Sequence, residues 1–135
     1  MNLATREGMA ALEAEMQKYP SALGTLRVRQ ECGPGLYLRE LFVPRGTIAT
    51  GKIHKVGHAN IIAKGSVSVL GEGKRIEGPY WFFSPPGTKK AIYAHTDTLW
   101  ITVHATDESD LDKIEDALIA PTWDAYLEHQ RRQLP

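Results

Sequence analysis

Residues 47–69, TIATGKIHKVGHANIIAKGSVSV, contain short apolar or alternating runs separated by glycines. Runs of roughly four to eight residues bounded by Gly or Pro are typical of β-strands joined by tight turns. The same texture extends from Thr25 to Thr106, where it predicts about seven or eight brief strands. Gly71-Glu72-Gly73 predicts a hairpin loop within this region. Short strands with turns this frequent predict an antiparallel barrel or sandwich.

An amphipathic helix is predicted before the strands. It begins at Thr5, a predicted N-cap, and extends to Tyr19, and Pro20 and Gly24 predict its end. Its apolar residues recur at intervals of three and four. They are Met9, Leu12, Met16 and Tyr19. This apolar stripe needs a partner surface, which is either the outside of the barrel or a second copy of the protein.

Helical periodicity returns after Asp107. Leu111, Ile114 and Leu118 lie on one predicted face, and Pro121 stands where a further helix could begin. The apolar stripe of that last helix consists of Trp123, Tyr126, Leu127 and Leu134. A chain of 135 residues is short for two cores, so we predict one domain. Its predicted parts are an N-terminal helix in residues 1–24, a barrel in 25–106 and C-terminal helices in 107–135.

Composition limits the possible partners and compartments. The 16 basic residues balance the 16 acidic ones, so no long-range field favours a nucleic-acid polymer or an anionic membrane. The single cysteine, Cys32, excludes an internal disulfide and a cysteine-rich zinc site. Residues 1–20 are charged throughout and lack an apolar central run, so they predict neither a signal peptide nor a membrane span. We therefore expect a soluble, cytoplasmic protein.

The order of residues between Gly51 and Gly65 resembles the first motif of the cupin family. In that motif two histidines one residue apart are followed by a glutamate and then by a glycine. Lys52 stands at the first histidine position, His54 at the second and His58 at the glutamate position. Gly65 matches the closing glycine. The first motif is thus present with substitutions at two of its three ligand positions, Lys52 and His58.

A second stretch, Pro85-Pro86-Gly87 followed by Lys90, resembles the second cupin motif, in which a proline-containing turn precedes the last metal-binding histidine. Lys90 stands at that histidine position. The middle of the chain, roughly residues 46–104, is also similar to uncharacterised cupin-like proteins of tailed phages and prophages. The resemblance implies a small single-domain cupin, an all-β jelly-roll barrel with an N-terminal helix and C-terminal helices. A phage origin would place the protein in the host cytoplasm.

The two lysines predict an anion site. Lys52 and His54 are two residues apart and share a strand face, and the resemblance implies that this face and Lys90 point into the barrel. Lysine ammonium groups have no lone pair for a metal ion. Buried without partners they would cost several kcal/mol, so either carboxylates or an anionic ligand must neutralise them. Phosphate or carboxylate groups suit such a cavity.

Strand 99–104 supplies further candidate ligand-binding residues. Trp100, Thr102 and His104 share one face, whose mixed chemistry is typical of a cavity lining. The alternate residues Leu99, Ile101 and Val103 predict packed core. Asn60 shares a face with His58 and could orient a ligand. His95 alternates away from Lys90 and is expected to face outward.

We therefore predict a non-catalytic cupin without cofactor that binds a small anionic molecule resembling a nucleotide or sugar phosphate. As a phage protein it could sequester a host metabolite or signal. Its predicted ligand-binding residues are Lys52, His54, His58, Asn60, Lys90, Trp100 and His104. One alternative is an enzyme with a divalent transition metal at His54, His58 and His104. The other is a structural module whose helices build a homodimer or higher homo-oligomer. Hydrolase and kinase motifs are not found.

Overall fold

The computed structural model describes residues 5–16 and 26–134. Within them the β-strands form two larger antiparallel sheets. The strands are β1 (Arg27–Gly33), β2 (Leu36–Val43), β3 (Ile48–Thr50), β4 (Ile53–His54), β5 (His58–Lys64), β6 (Ser66–Val69), β7 (Lys74–Glu77), β8 (Tyr80–Ser84), β9 (Ala91–Ala94), β10 (Thr98–Ala105) and β11 (Ile119–Ala120). One sheet has the order β1-β2-β10-β5-β8, and the other has the order β3-β9-β6-β7. The predicted antiparallel jelly-roll architecture is confirmed.

The two sheets pack against one another through a single mixed core. Val43, Ile62 and Trp100 of the five-stranded sheet contact residues of the four-stranded sheet. Those residues are Ala49, Val67, Val69, Ile92 and Ala94. Because successive side chains of a strand point to opposite faces, this core is made of every second residue of each strand. Several other interior residues of the five-stranded sheet line a cavity.

Gly65 makes the tight connection between β5 and β6. Its φ is +101°, and a Cβ at this position would lie 2.8 Å from the Cα of Thr98. Only glycine adopts this conformation without strain and allows the backbones to approach so closely. The predicted loop at residues 71–73 likewise joins two paired strands, β6 and β7.

The N-terminal helix α1 comprises Arg6–Met16. The amide of Gly8 donates a hydrogen bond to Thr5 Oγ1 (3.0 Å), which satisfies one amide of the first helical turn. Met9 is buried. The carboxylate of Glu13 accepts hydrogen bonds from Thr50 (3.0 Å) and Lys89 (2.7 Å), so α1 lies against the barrel. Of the other predictions for this region, Tyr19, Pro20, Gly24 and Thr25 lie outside the described residues.

Two helices follow the barrel, α2 (Leu111–Leu118) and α3 (Trp123–Arg132). Asp110 and Thr122 cap their N-termini through side-chain oxygens, so Pro121 precedes the cap of α3. The predicted stripes are buried only in part. Ile114, Leu118 and Tyr126 are buried, whereas Leu111, Leu127 and Leu134 are exposed. None of the helices described here is long and apolar enough to span a membrane.

The expectation that Leu99, Ile101 and Val103 form packed core is wrong. These side chains lie on the outer face of β10 and are only partly covered. The core is instead on the Trp100 side of the strand, where the second sheet covers it. The same outer face exposes two aromatic residues of β8, Trp81 at 68% and Phe83 at 74%. An apolar strand face is therefore not by itself evidence of burial.

Candidate metal centre

Three of the five histidines meet inside the barrel. His104 and His58 lie on adjacent strands, one position beyond the antiparallel pair Val103–Ala59. His54 reaches them from β4, whose backbone pairs with β11 and accepts a hydrogen bond from Gly87. The cluster thus joins two consecutive strands, β4 and β5, to β10, which lies much further along the chain.

The imidazole rings are close and nearly parallel. Ring centroids are 4.0 Å apart for His54 and His58, 4.6 Å for His58 and His104, and 5.1 Å for His54 and His104. One nitrogen from each ring lies within 4.8 Å of the other two. His54 Nδ1 and His104 Nε2 are 3.0 Å apart. Two ligands at right angles, each about 2.1 Å from an ion, are also about 3.0 Å apart, so this spacing suits shared coordination.

Hydrogen bonds set the orientation of these rings. The Nδ1 of His58 lies 3.3 Å from the carbonyl oxygen of Val56, to which its N–H can donate a hydrogen bond, and this leaves the Nε2 lone pair available. The Nδ1 of His104 is the one buried side-chain nitrogen or oxygen in the described residues that has no hydrogen-bond partner. An unsatisfied buried polar atom costs about 1–3 kcal/mol. This nitrogen is not the Nε2 of His104 that lies 3.0 Å from His54, so its lack of a partner does not by itself indicate a ligand between those two rings.

The three histidines are uncharged at neutral pH. Burial is the main cause that lowers the pKa of His54 to about 3, and His58, His104, Arg39 and Lys90 lower it further. Burial, with a contribution from His58, lowers the pKa of His104 to about 4. Burial and Lys90 also lower the pKa of His58, against the opposing effect of the Val56 carbonyl. Neutral imidazoles have the free lone pairs that a metal ion requires.

The cluster borders a cavity of about 480 Å³. This volume is ordinary for a small-molecule site. The wall near Trp100 is apolar and includes Leu41, Ala49 and Ile92, and Ile114 and Leu118 of α2 line another part. The polar lining outside the cluster includes Arg39, Thr102 and Lys90. The cavity can therefore hold a molecule that is polar at one end and apolar at the other.

The two predicted lumen lysines occupy different environments. Lys52 lies at the cavity rim, 62% exposed, and pairs with Glu115 of α2. It is not directed deep into the barrel, because it precedes β4 and strand alternation does not extend to it. Lys90 is 19% exposed, lines the cavity and pairs with Glu72 at 3.3 Å. Each lysine thus has a carboxylate partner. Of the two alternatives predicted from the sequence, carboxylates or an anionic ligand, the carboxylates are present.

The remaining predicted residues also line the cavity. Asn60 is fixed by the protein: its Oδ1 accepts a hydrogen bond from Trp100 Nε1 (3.1 Å), and its Nδ2 donates to Ser84 Oγ (2.9 Å). Trp100 belongs to the core as well as to the cavity wall. His95 is hydrogen-bonded to Ser68 (2.7 Å) and makes an edge-to-face contact with Tyr93, away from the cavity.

Sequence reasoning missed Arg39. It lies on the interior face of β2, paired with Thr102 across the sheet, and lines the cavity. The alternation in LYLRELFV places Arg39 on the same face as Tyr37 and Leu41. That alternation was the available signal, but it does not specify which face of β2 is interior.

The donor set fits a metal ion. Three neutral imidazoles match a site for Zn²⁺, Fe²⁺, Ni²⁺ or a similar divalent ion with open positions. The usual cupin positions contribute only His54 and His58 of this set. His104 supplies the third imidazole from β10, whereas the expected last histidine position holds Lys90.

No family model matches the sequence, and no curated protein matches it. Solved structures match its fold. An acetylacetone dioxygenase from Acinetobacter johnsonii is 14% identical with a TM-score of 0.51, over 77% of this chain and 78% of the other. KdgF from Halomonas sp. is 16% identical with a TM-score of 0.53, over 73% and 94%. A cupin superfamily protein from Desulfitobacterium hafniense is 7% identical with a TM-score of 0.51, over 68% and 87%. The chain therefore has a cupin fold.

Proposed function

We propose that this cupin-fold protein binds a divalent transition metal through His54, His58 and His104 and is a metal-dependent enzyme acting on a small molecule in the adjoining cavity. The supporting observation is the convergence of three neutral imidazoles, with ring nitrogens within 4.8 Å of one another, at the wall of a cavity. One similar structure is a dioxygenase, which agrees with catalysis at such a centre.

A bound divalent ion supplies Lewis acidity to a substrate oxygen. The chain contributes the surroundings. Trp100 and its apolar neighbours exclude water from one side of the cavity, and the carbonyl of Val56 fixes the ring of His58. The positive charge of Arg39 suits a substrate that carries negative charge. The cavity therefore favours a small, partly apolar anion over a cation.

The test is metal content. Protein purified without an affinity tag is expected to contain close to one equivalent of zinc, iron, nickel or manganese, or to take up one equivalent of Co²⁺ after treatment with a chelator. His54→Ala, His58→Ala and His104→Ala should each weaken Co²⁺ binding about 100-fold or more, because each removes a ligand. A wild-type protein that neither retains nor binds metal would contradict the proposal.

The chain provides matched controls for the histidine variants. His95 is bonded to Ser68 outside the cavity, and His129 lies on α3. His95→Ala and His129→Ala remove the same side chain without touching the cluster. They should leave Co²⁺ affinity unchanged within about twofold. Equal losses in control and cluster variants would indicate nonspecific metal binding.

The second candidate function is non-catalytic capture of a small anion such as a nucleotide or sugar phosphate. Lys90 supports it, since this ammonium group is largely buried and lines the cavity. A phage protein that sequesters a host metabolite or signal would be one such case, and that link stays a prediction. Thermal-shift screening of the metal-free protein with nucleotides and sugar phosphates tests it. Stabilisation by any of them, lost in Lys90→Gln, would favour capture.

The predicted homodimer or higher homo-oligomer and the cytoplasmic location stay predictions. The outer face of the five-stranded sheet, with Trp81 and Phe83 exposed, offers an apolar surface for self-association. Sedimentation of the purified protein measures the oligomeric state directly.

A further inference from the structure

Three cationic side chains line the cavity, and Arg39 is the one that has no ion-pair partner among the described residues. Lys52 pairs with Glu115, and Lys90 pairs with Glu72. Arg39 makes no hydrogen bond and no ion pair with any residue in 5–16 or 26–134. It is half-buried on the interior face of β2. A half-buried guanidinium that the described residues leave unpaired can offer its N–H donors, five in all, to a ligand.

The charge count favours a carboxylate over a phosphate. The two negative charges of a phosphate dianion are best neutralised by two or more unpaired cations. Only one unpaired cation lines this cavity among the described residues. A guanidinium presents two parallel N–H groups that match the two oxygens of a carboxylate. The wall therefore suits a monoanionic carboxylate bound in a bidentate manner.

The sheet register places this anchor beside the histidine cluster. Arg39 is directly opposite Thr102, and His104 is two residues further along β10. Two residues of a strand span about 7 Å. This is comparable to the reach of an arginine side chain, so a carboxylate on Arg39 would have its neighbouring atoms close to the imidazoles. On the other side of Arg39 the register leads to Leu41 and Trp100.

From this arrangement we infer that Arg39 anchors the carboxylate of a small 2-hydroxy or 2-oxo acid, whose second oxygen faces the histidine cluster and whose apolar group contacts the cavity wall. The inference rests on the proposed function for the role of the second oxygen. The anchoring of the carboxylate by Arg39 depends only on the cavity. Arg39 is thus a residue that determines substrate class, distinct from the three metal ligands.

The test uses mandelate, a 2-hydroxy acid with a phenyl group, and mandelamide, its uncharged counterpart. Both are titrated into the Co²⁺-loaded protein, with binding followed by calorimetry and by the visible Co²⁺ spectrum. Mandelate should bind at least about 10-fold more tightly than mandelamide. Arg39→Gln should reduce this ratio to about 1 while Co²⁺ uptake stays at one equivalent. Arg39→Lys should retain part of the preference, since it keeps the charge but loses the fork.

The control variant is Arg29→Gln. Arg29 is an exposed arginine of the neighbouring strand β1, paired with Glu31 on the outer face. It should keep the wild-type ratio. An equal affinity of wild type for the two compounds would overturn the inference, as would an unchanged ratio in Arg39→Gln. Tighter binding of inorganic phosphate than of mandelate would overturn the assignment to carboxylates.

Failure of the metal proposal gives a different result. If the wild-type protein binds no Co²⁺, the same two compounds are compared on the metal-free protein by thermal shift and by NMR titration. A preference for mandelate that disappears in Arg39→Gln would then support the carboxylate anchor without a metal. The absence of any preference would overturn it. If Arg39→Gln does not fold, Arg39→Lys gives the deciding comparison, because an undiminished ratio there would contradict bidentate binding.

Discussion

The two halves of the interior face of β10 have different surroundings. Thr98 and Trp100 are buried in a core that the second sheet completes, and the indole of Trp100 donates a hydrogen bond to Asn60. Thr102 and His104 follow on the same face but lie outside that core and line the cavity, whose wall Trp100 also forms. One strand thus passes from a packed environment to an open one within a few residues.

The difference shows how the chain separates stability from ligand chemistry. At the packed end, apolar contacts and satisfied hydrogen bonds stabilise the fold. At the open end, buried imidazoles have lowered pKa values and one ring nitrogen without a partner. Such features cost stability and are typical of functional sites. Changes at the two ends should therefore have different consequences.

The largest effect is expected from Trp100→Ala. It removes a large core side chain and leaves Asn60 without its donor, so the free energy of unfolding should fall by about 3–5 kcal/mol. Thr102→Ala is the corresponding truncation at the open end and should cost less than about 1 kcal/mol, because this side chain is only partly buried and faces the cavity. Urea unfolding of both variants measures the difference. Similar losses would show that the open end is also tightly packed.

A somewhat smaller effect is expected from Gly65→Ala, next to Thr98 at the packed end. The positive φ and the close approach of the Thr98 backbone should cost about 3 kcal/mol. Gly73 provides the control, since it has a positive φ of +66° and nothing within 4 Å of an added Cβ. Gly73→Ala should cost about 1 kcal/mol. Thermal or urea unfolding distinguishes steric contact from backbone strain, and equal losses would contradict the steric part.

Lowering the pH should destabilise the metal-free protein, because the histidines at the open end of β10 become protonated more easily in the unfolded state. A histidine whose pKa is lowered on folding binds fewer protons in the folded state than in the unfolded state. Stability therefore falls as pH decreases below the unfolded pKa of 6.5, until the folded pKa of about 3 or about 4 is reached. From about pH 7 to about pH 5.5 the loss should be on the order of 2 kcal/mol for the cluster, after allowance for solvent in the cavity.

Urea unfolding of chelator-treated protein at the two pH values measures this loss. His54→Gln removes the group whose pKa is lowered furthest and should reduce the pH dependence. His129→Gln on α3 should not. Stability that is independent of pH in this range would mean that the imidazoles are not buried as the structure places them.

The smallest effect is expected at the cavity rim. Lys52 and Glu115 are both 62% exposed, and an exposed ion pair contributes little because water and salt screen it. Lys52→Ala and Glu115→Ala should each change the free energy of unfolding by less than about 0.5 kcal/mol. A larger loss in urea unfolding would show that the rim pair helps to hold α2 against the barrel.

The sequence predicted much of the architecture. Glycine and proline spacing in residues 47–94 predicted short strands and their hairpins, because turns need residues that tolerate unusual backbone angles. Helical periodicity predicted α1, α2 and α3. The outer face of β10 was misjudged, since Leu99, Ile101 and Val103 are as apolar as core residues but lie on the outer face. The order of residues in a strand shows which side chains share a face. It does not show which of the two faces the other sheet covers.

For the candidate site, the local sequence is enough to predict which side chains alternate on one strand face and that lysines occupy two ligand positions of the cupin motifs. The way in which these groups meet depends on the fold. It brings His104 to His54 and His58, gives each predicted lysine a carboxylate and, among residues 5–16 and 26–134, gives Arg39 none. The physical reason is that strand pairing and helix docking join residues that are dozens of positions apart, and a local pattern does not specify such long-range contacts.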